Sequence, residues 1–160
     1  MNPLAWLISF FLPACGFAGA QGLPVPPPMD ATAIVRPATP NTALAGPESL
    51  KPIPDIFVPP FPVSPDRLFT LIRTVAASEP RTYEAAIYPD RRQVDYVVRS
   101  AVFNFPDLVM VQVLPEGQDG SDLILWSRSV YGHSDLGVNH KRLITWLAAL
   151  RARLSHFGEK

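Results

Sequence analysis

The chain has 160 residues and a formal net charge of zero, and hydrophobic residues make up 48% of it. A neutral chain lacks the clustered basic excess that binding to nucleic acid requires, so no nucleic-acid partner is predicted. Its single cysteine, Cys15, excludes an intramolecular disulfide. Twelve of the 19 prolines lie between Pro24 and Pro62. This distribution divides the chain into a proline-rich front part and a compact domain behind it.

Residues 1–20 have the character of an export signal or an anchor. No charged side chain precedes Asp30, and the apolar run Leu4 to Leu12 is shorter than the roughly 20 residues of a membrane span. Three interpretations stay open: a signal peptide cleaved after Ala20, a lipoprotein signal in which Cys15 is lipidated, or an uncleaved membrane anchor. Each predicts an exported protein of the periplasm or cell envelope, with membrane association only through the N-terminus.

Two segments of different character follow. Residues 21–35 are rich in proline and have no periodicity, which predicts a tether of polyproline type. Residues 36–63 also contain many prolines, but they carry too many apolar side chains for a solvated linker. We expect this second segment to lie extended across the domain as a wrapping segment and to bury some of those side chains.

Residues 36–160 are predicted to form a single α+β domain. Ser64-Pro65-Asp66 combines a hydroxyl cap, a first-turn proline and an acid, which predicts a helix over residues 64–78. Residues 81–131 hold apolar stretches joined by short turns, which predicts antiparallel strands. An apolar stripe at helical spacing predicts a closing helix over residues 139–155. The expected fold is an antiparallel sheet of three to five strands packed against an N-terminal and a C-terminal helix.

The stretch SRSVYGHSDLGVNHKR, Ser127 to Arg142, is the richest in polar and titratable groups. Side chains alternate along a strand, so Ser127 and Ser129 share one face and Arg128 lies on the other. His140, Lys141 and Arg142 then fall in the first turn of the closing helix. Cations are disfavoured there by roughly 0.3–1 kcal/mol each, because the helix N-terminus carries a partial positive charge. The sequence therefore predicts that something compensates these cations.

Two kinds of compensation stay open. One is internal: Asp135, with Asp95 or Asp107 from the sheet, neutralises the cations in a buried polar network. The other is an external anionic or lipid-like ligand seated on the helix N-terminus. The predicted ligand-binding residues are Arg128, Asn139, Lys141 and Arg142, and the predicted structural residues are Ser127, Ser129, Ser134, Asp135 and Gly137.

The same stretch also suggests two reactive sites. A small hydrolase would use Ser127 or Ser129 as nucleophile, His133 or His140 as base and Asp135 as orienting acid, but no Gly-x-Ser-x-Gly elbow is present. A metal site built from His133, Asp135 and His140 lacks a fourth protein donor. We therefore assign no catalytic residue and predict neither a metal nor a cofactor.

The run LWSRSVYGHSDLGVNHKRLITWL resembles the signature of a bacterial family catalogued as domain of unknown function 1499. Members of that family typically show Ser-Arg-Ser, then Gly, then Ser-Asp-Leu-Gly-Val-Asn, then Lys-Arg at the last helix. RPATPNTALAG and FNFPDLVMVQV are similar to the start and middle of the family, so the resemblance covers about Arg36 to Leu154. At His140 the family more often has Arg, and at Val130 a second Arg is frequent.

The resemblance implies a fold and a choice of site but no reaction. The function expected from the sequence is that of an exported, non-enzymatic binding or structural module of the cell envelope. Its partner would be an anionic or lipid-like ligand or an envelope protein. The alternative is the small hydrolase.

Overall fold

The computed structural model describes residues 3–158, which form an α+β fold around one six-stranded sheet, as the sequence predicted for the class. The strands are β1 (Thr42–Gly46), β2 (Ile56–Phe57), β3 (Thr82–Tyr88), β4 (Gln93–Arg99), β5 (Pro106–Glu116) and β6 (Gly120–Ser129). Their order across the sheet is β2-β1-β6-β5-β4-β3. The helices are α1 (Pro3–Ser9), α2 (Pro65–Ser78) and α3 (Val138–Gly158).

The sheet is mixed and larger than expected, which corrects the prediction of three to five antiparallel strands. β3, β4, β5 and β6 form the expected antiparallel meander. The wrapping segment adds two further strands, of which β1 pairs antiparallel with β6 and β2 runs parallel to β1. β1 has the sequence TALAG and β2 has only two residues. The Ala- and Gly-rich β1 has little strand propensity of its own and depends on the edge that β6 offers, while β2, although made of Ile and Phe, is too short to form without β1 beside it.

The face of the sheet that we call the helix face is covered by α2 and α3. α2 begins at Pro65 and ends at Ser78, close to the predicted bounds, because Pro80 cannot continue it. The apolar stripe of α3 packs against the sheet, and Trp146 lies edge-to-face with Tyr96 at 5.7 Å between ring centroids. The largest fully buried apolar side chains of this core are Leu68, Ile72, Val75, Val94, Leu123, Leu125, Leu143, Trp146 and Leu150.

The opposite face is covered by residues 21–35, which we call the strap, and we call this the strap face. A second core there comprises Ala31, Ile34, Leu44, Leu50, Met110, Ile124 and Trp126. The buried Gln93 amide donates to the Met29 carbonyl at 2.8 Å and accepts from the Met29 N–H at 3.0 Å. Gln112 Oε1 accepts from the Ala31 N–H at 3.3 Å. The sheet therefore satisfies the backbone of the strap by side-chain amides instead of by strand pairing.

The first residues of the described chain form α1 and a 3-10 turn at Pro13–Gly16. Within residues 3–158, no helix has both the length and the apolar character needed to cross a bilayer.

Candidate functional site

The first turn of α3 buries an arginine. One Nη of Arg142 donates to Asp107 Oδ2 at 2.6 Å, and the other donates to Ser127 Oγ at 2.8 Å and to Asn139 Oδ1 at 2.6 Å. The side chains of Arg142 and Asp107 are each 12% exposed. We call these four residues the Arg142 network. Asp107 neutralises the charge of Arg142 within the protein, so no external anion is needed to compensate it.

Asn139 extends the Arg142 network to the wrapping segment, at the residue that precedes β1. Its side chain is fully buried, and Nδ2 donates to the Asn41 carbonyl at 2.9 Å and to Ser129 Oγ at 3.0 Å. Its Oδ1 accepts from Ser127 Oγ at 2.5 Å. Asn41 in turn donates to the Gly132 carbonyl at 2.7 Å. The network therefore joins the start of β1, the end of β6 and the start of α3.

Asp135 acts on the backbone and does not pair with the cations. Its Oδ2 accepts from the N–H of Asn139 at 2.7 Å, and its Oδ1 accepts from the N–H of Gly137 at 3.0 Å. These bonds satisfy donors at the N-terminus of α3 that have no partner inside the helix. Ser134 also serves this turn, where its Oγ accepts from the Leu136 N–H at 3.3 Å. Gly137 has φ of +80°, which explains a glycine at that position of the signature.

The residues of the hydrolase hypothesis do not meet. His133 and His140 are exposed, whereas Ser127 and Ser129 are bonded to Asn139. Within residues 3–158, no hydrogen bond joins a serine to a histidine, and no three His, Cys, Asp or Glu side chains are placed to hold a metal ion. The described stretch thus contains no nucleophile beside a base, which is the arrangement that the hydrolase needs.

Arg128 lies on the strap face, on the opposite side of the sheet from Arg142, as strand alternation predicted. Its guanidinium carbon lies 4.4 Å from the centroid of the Trp126 ring. The Trp126 Nε1–H donates to Thr42 Oγ1 at 2.7 Å, which holds the ring in place. No residue of the described chain accepts a hydrogen bond from the Arg128 guanidinium. Burial lowers the pKa of Arg128, while the charge of Asp95 acts to raise it.

Asp95 is the carboxylate that faces Arg128 on the strap face. It is 5% exposed, and its Oδ2 has no hydrogen-bond partner in the described chain. Burial raises the pKa of the Asp95 carboxyl from 3.8 to about 6, and the charge of Arg128 acts in the opposite direction. The two charges interact without forming an ion pair within hydrogen-bond distance, so neither group is fully satisfied.

A cleft of about 520 Å³ opens beside Arg128, and we call it the Arg128 cleft. Its wall includes Arg36, Thr39, Asn41, Leu108, Trp126 and Arg128. Arg36 is bonded to both carboxylate oxygens of Asp55, at 2.7 and 3.0 Å. Arg128 is therefore the cation of this wall whose N–H groups are open to an incoming acceptor.

The structure distributes the four predicted ligand-binding residues over three places. Asn139 and Arg142 belong to the Arg142 network, Lys141 is exposed beside it, and Arg128 lies across the sheet. Cys15, considered for lipidation, is fully buried; burial raises the pKa of its thiol, and the charge of Arg99 opposes that shift.

Sequence reasoning missed Trp126 and Asp95, the two side chains that interact with Arg128 on the strap face. Trp126 could have been found, because residues two apart on a strand share a face. Asp95 could not have been assigned to Arg128, since β5 lies between their strands and no local spacing encodes that neighbourhood. Asn41 was missed for the same reason, since it reaches Asn139 only through the pairing of β1 with β6.

No curated protein and no solved structure matches this chain. Residues 34–150, more than half of the chain, match the family described as "Protein of unknown function (DUF1499)". The Arg142 network and the Arg128 cleft both lie within the matched residues, and the chain belongs to this DUF1499 family.

Proposed function

We propose that this chain is a non-enzymatic binding module of the cell envelope and that its ligand is an anion held by Arg128. The observation that carries the proposal is a half-buried guanidinium, set over a tryptophan ring at 4.4 Å, whose N–H groups have no acceptor within residues 3–158. A carboxylate or phosphate group in the Arg128 cleft would accept two parallel hydrogen bonds from it. The same bonds would offset the cost of burying the charge.

The surroundings of Arg128 favour binding over a purely structural role. The ring of Trp126 is held by its bond to Thr42, so the arginine that stacks on it is preorganised. The cleft also exposes apolar wall beside the cation, including Leu108 and Val130. This combination suits a small amphipathic anion with a charged head and an apolar body, which is the lipid-like ligand expected from the sequence.

The Arg142 network supports the non-enzymatic part of the proposal. Its members include residues of the family-like signature, and their polar atoms bond to one another. A network of this kind joins strands and helix, and its groups are not free to act on a substrate. We propose that the signature between Ser127 and Arg142 mainly supports the fold that presents Arg128. No observation favours the hydrolase alternative with His133 and Asp135.

The envelope location is proposed from the sequence. The uncharged first 29 residues with an apolar run support export. Fractionation of cells expressing the full chain with a C-terminal tag tests this location. Recovery in the periplasmic or membrane fraction supports it, and recovery with the cytoplasmic markers contradicts it.

Titration of the full chain with acetate, inorganic phosphate and dodecanoate tests the anion site, with Arg128→Met as the test variant. Arg151→Met is the matched control, because Arg151 is an exposed cation on α3 that does not line the cleft. We expect at least one probe to bind the wild type and the control equally, and to bind Arg128→Met about tenfold or more weakly. Equal binding by Arg128→Met, or no binding of any probe to the wild type, would contradict the proposal.

A further inference from the structure

One end of the molecule carries most of its exposed apolar surface. Ten of the sixteen large apolar side chains that are exposed in the described chain fall in three segments at this end. They are Leu4, Trp6, Leu7, Phe10, Phe11 and Phe17 of the N-terminal segment, Val102 and Phe103 of the β4–β5 loop, and Leu136 and Val138 before and at the start of α3. Clustered exposed apolar side chains on a soluble protein often mark a contact site for a protein or a membrane.

The three segments adjoin one another. A cavity of about 490 Å³ is lined by Leu12, Val102, Phe103, Phe105, Leu136 and Val138, and so touches all three. A second cavity of about 290 Å³ lies between the N-terminal segment and the β4–β5 loop, with Ala5, Phe17 and Val102 in its wall. We call the surface formed by the three segments the apolar end. It lies where β4 and β6 finish and β5 begins.

The domain holds the N-terminal segment in place at this end through Arg99. This side chain is 2% exposed and donates to three carbonyls of the segment: Ala14 at 2.8 Å, Gly19 at 2.7 Å and Gln21 at 2.7 Å. Charge-assisted bonds of this kind are about twice as strong as neutral ones. Residues 14–21, which follow α1, are therefore bound to the folded domain.

Asn104 completes the attachment from the β4–β5 loop. Its Nδ2 donates to the carbonyls of Cys15 at 2.7 Å and Phe17 at 2.9 Å. Asn104 has φ of +57°, a left-handed conformation that asparagine tolerates better than most residues. The same loop thus binds the N-terminal segment and exposes Phe103 beside it.

Cations border the apolar end. Lys141 and Arg81 line a cleft of about 380 Å³ that shares Val138 and Asp107 with the apolar cavity. Of the nearby acids, Asp107 pairs with Arg142, whereas Asp135 accepts only from backbone N–H groups and keeps its charge. Arg99 also lines this cleft and donates to carbonyls, so its charge is not neutralised either. Three cations, Arg81, Arg99 and Lys141, therefore stand against two acids, Glu79 and Asp135, and the border carries an excess of positive charge.

We propose that the apolar end docks onto a lipid bilayer that contains anionic headgroups. The apolar side chains of α1 and of the two loops enter the interfacial region, where Trp and Phe are favoured. Lys141 and Arg81 lie at the level of the phosphates. Lys141 is the exposed cation of the signature, and its role in this arrangement is to attract the anionic headgroups. The proposal requires the uncleaved form of the N-terminal segment and extends the membrane contact from that segment to the domain itself. It is independent of the anion site at Arg128.

Vesicle flotation of the full chain tests this docking, with phosphatidylcholine vesicles prepared with and without phosphatidylglycerol. The test variant is Phe103→Ser with Leu136→Ser, which leaves α1 unchanged. The matched control is Ile53→Ser with Phe57→Ser, two exposed apolar side chains elsewhere on the surface. We expect the wild type and the control to bind the anionic vesicles equally and the test variant to bind about tenfold or more weakly. Equal binding by the test variant, or no binding by the wild type, overturns the proposal.

The contribution of charge is tested on the same vesicles. Lys141→Gln should weaken binding to the anionic vesicles severalfold and leave binding to pure phosphatidylcholine unchanged. Arg151→Gln, an exposed cation at a different place on α3, is the control and should have no effect. If the two variants bind alike, the anionic part of the proposal is wrong.

Tryptophan fluorescence reports on α1 directly. Trp6 is 57% exposed, whereas Trp126 and Trp146 are buried, so a vesicle-induced blue shift should come from Trp6. The shift should disappear in Trp6→Phe, with binding retained. Intact mass spectrometry of chain extracted from membranes should show residues 3–20 still attached. A mature chain that begins at Gln21, or an emission maximum that vesicles do not move, overturns the proposal.

Discussion

The two faces of the sheet satisfy their buried polar groups in different ways. On the helix face, the side chains of the Arg142 network bond to one another, and Arg142 and Asp107 form a buried ion pair. On the strap face, Gln93 and Gln112 bind the backbone of the strap, while the Arg128 guanidinium and Asp95 Oδ2 have no hydrogen-bond partner within residues 3–158. Neighbouring residues of β6 therefore lie in different environments: Ser127 belongs to the Arg142 network, and Arg128 lines the Arg128 cleft. The dense polar residues of the signature form a hydrogen-bonded network on one face of the sheet and line an open cleft on the other.

The sharpest test of the helix face is Arg142→Ala. The change leaves the Asp107 carboxylate buried without its partner and removes donors from Ser127 and Asn139. We expect the free energy of unfolding to fall by about 3–5 kcal/mol, the usual effect of breaking a buried ion pair on one side. Urea denaturation followed by circular dichroism measures it, with Arg151→Ala as control. A loss similar to that of the control would show that the network does not support the fold.

The strap face should respond in the opposite sense to Asp95→Asn. The pKa of Asp95 is raised from 3.8 to about 6 in the folded state, so the folded chain binds this proton more tightly than the unfolded chain. Stability from this group is complete below pH 3.8 and is lost as the pH rises through 6. The variant should therefore gain up to about 3 kcal/mol at pH 8 and nothing near pH 3.5, at about 1.36 kcal/mol per pKa unit.

Unfolding free energies of Asp95→Asn at several pH values check this sign, with the exposed Asp119→Asn as control. The gain of about 3 kcal/mol already includes the interaction with Arg128, because the raised pKa of Asp95 is the net result of burial and of that charge. A variant that is less stable than the wild type at pH 8 would show that the interaction with Arg128 outweighs the cost of burial.

A smaller effect tests whether the faces are independent. Gln93→Ala removes both bonds to the backbone of Met29 and should cost about 1–2 kcal/mol. Hydrogen exchange should accelerate at the amides of Met29 and Ala31 and stay unchanged in α3. Equal acceleration in α3 would mean that the strap and the helices unfold as one unit. The two faces would then differ in their polar contacts but not in their local stability.

The smallest expected effect concerns His133. Its side chain is exposed, and its described neighbours make no hydrogen bond to it. His133→Ala should change the free energy of unfolding by less than about 0.5 kcal/mol. A hydrolase screen should give the same background for variant and wild type. Activity that is present in the wild type and lost in the variant would revive the enzymatic alternative.

The elements with strong local signals were predictable, and those that depend on distant partners were not. Ser64-Pro65-Asp66 and Pro80 bracket α2 because capping and proline act within a few residues. β1 was missed as a strand because it is rich in Ala and Gly, and β2 because it has only two residues; the edge of β6 on which β1 pairs lies about 80 residues further on. The amphipathic stripe of α3 identified the helix but did not show that its first turn buries Arg142.

The site was predictable to a similar extent. Period-two alternation along the strand is enough to place Ser127 and Arg128 on opposite faces of the sheet. The unfavourable cations at the start of α3 correctly indicated a compensating group, and Asp107 was among the candidates. The choice of Asp107 over Asp95 depends on which face each strand presents to α3, and that choice follows from the register of β4 and β5 with β6.

By itself the sequence determined the α+β class, the two main helices, the meander of four strands and the membership of a family, because these depend on local periodicity and on a contiguous signature. Only the tertiary structure decided that Arg142 forms a buried ion pair with Asp107 while Arg128 faces an open cleft. It also decided that Arg99 and Asn104 hold the N-terminal segment beside two apolar loops. These outcomes rest on contacts between residues that lie far apart along the chain, and the order of strands across the sheet is what brings such residues together.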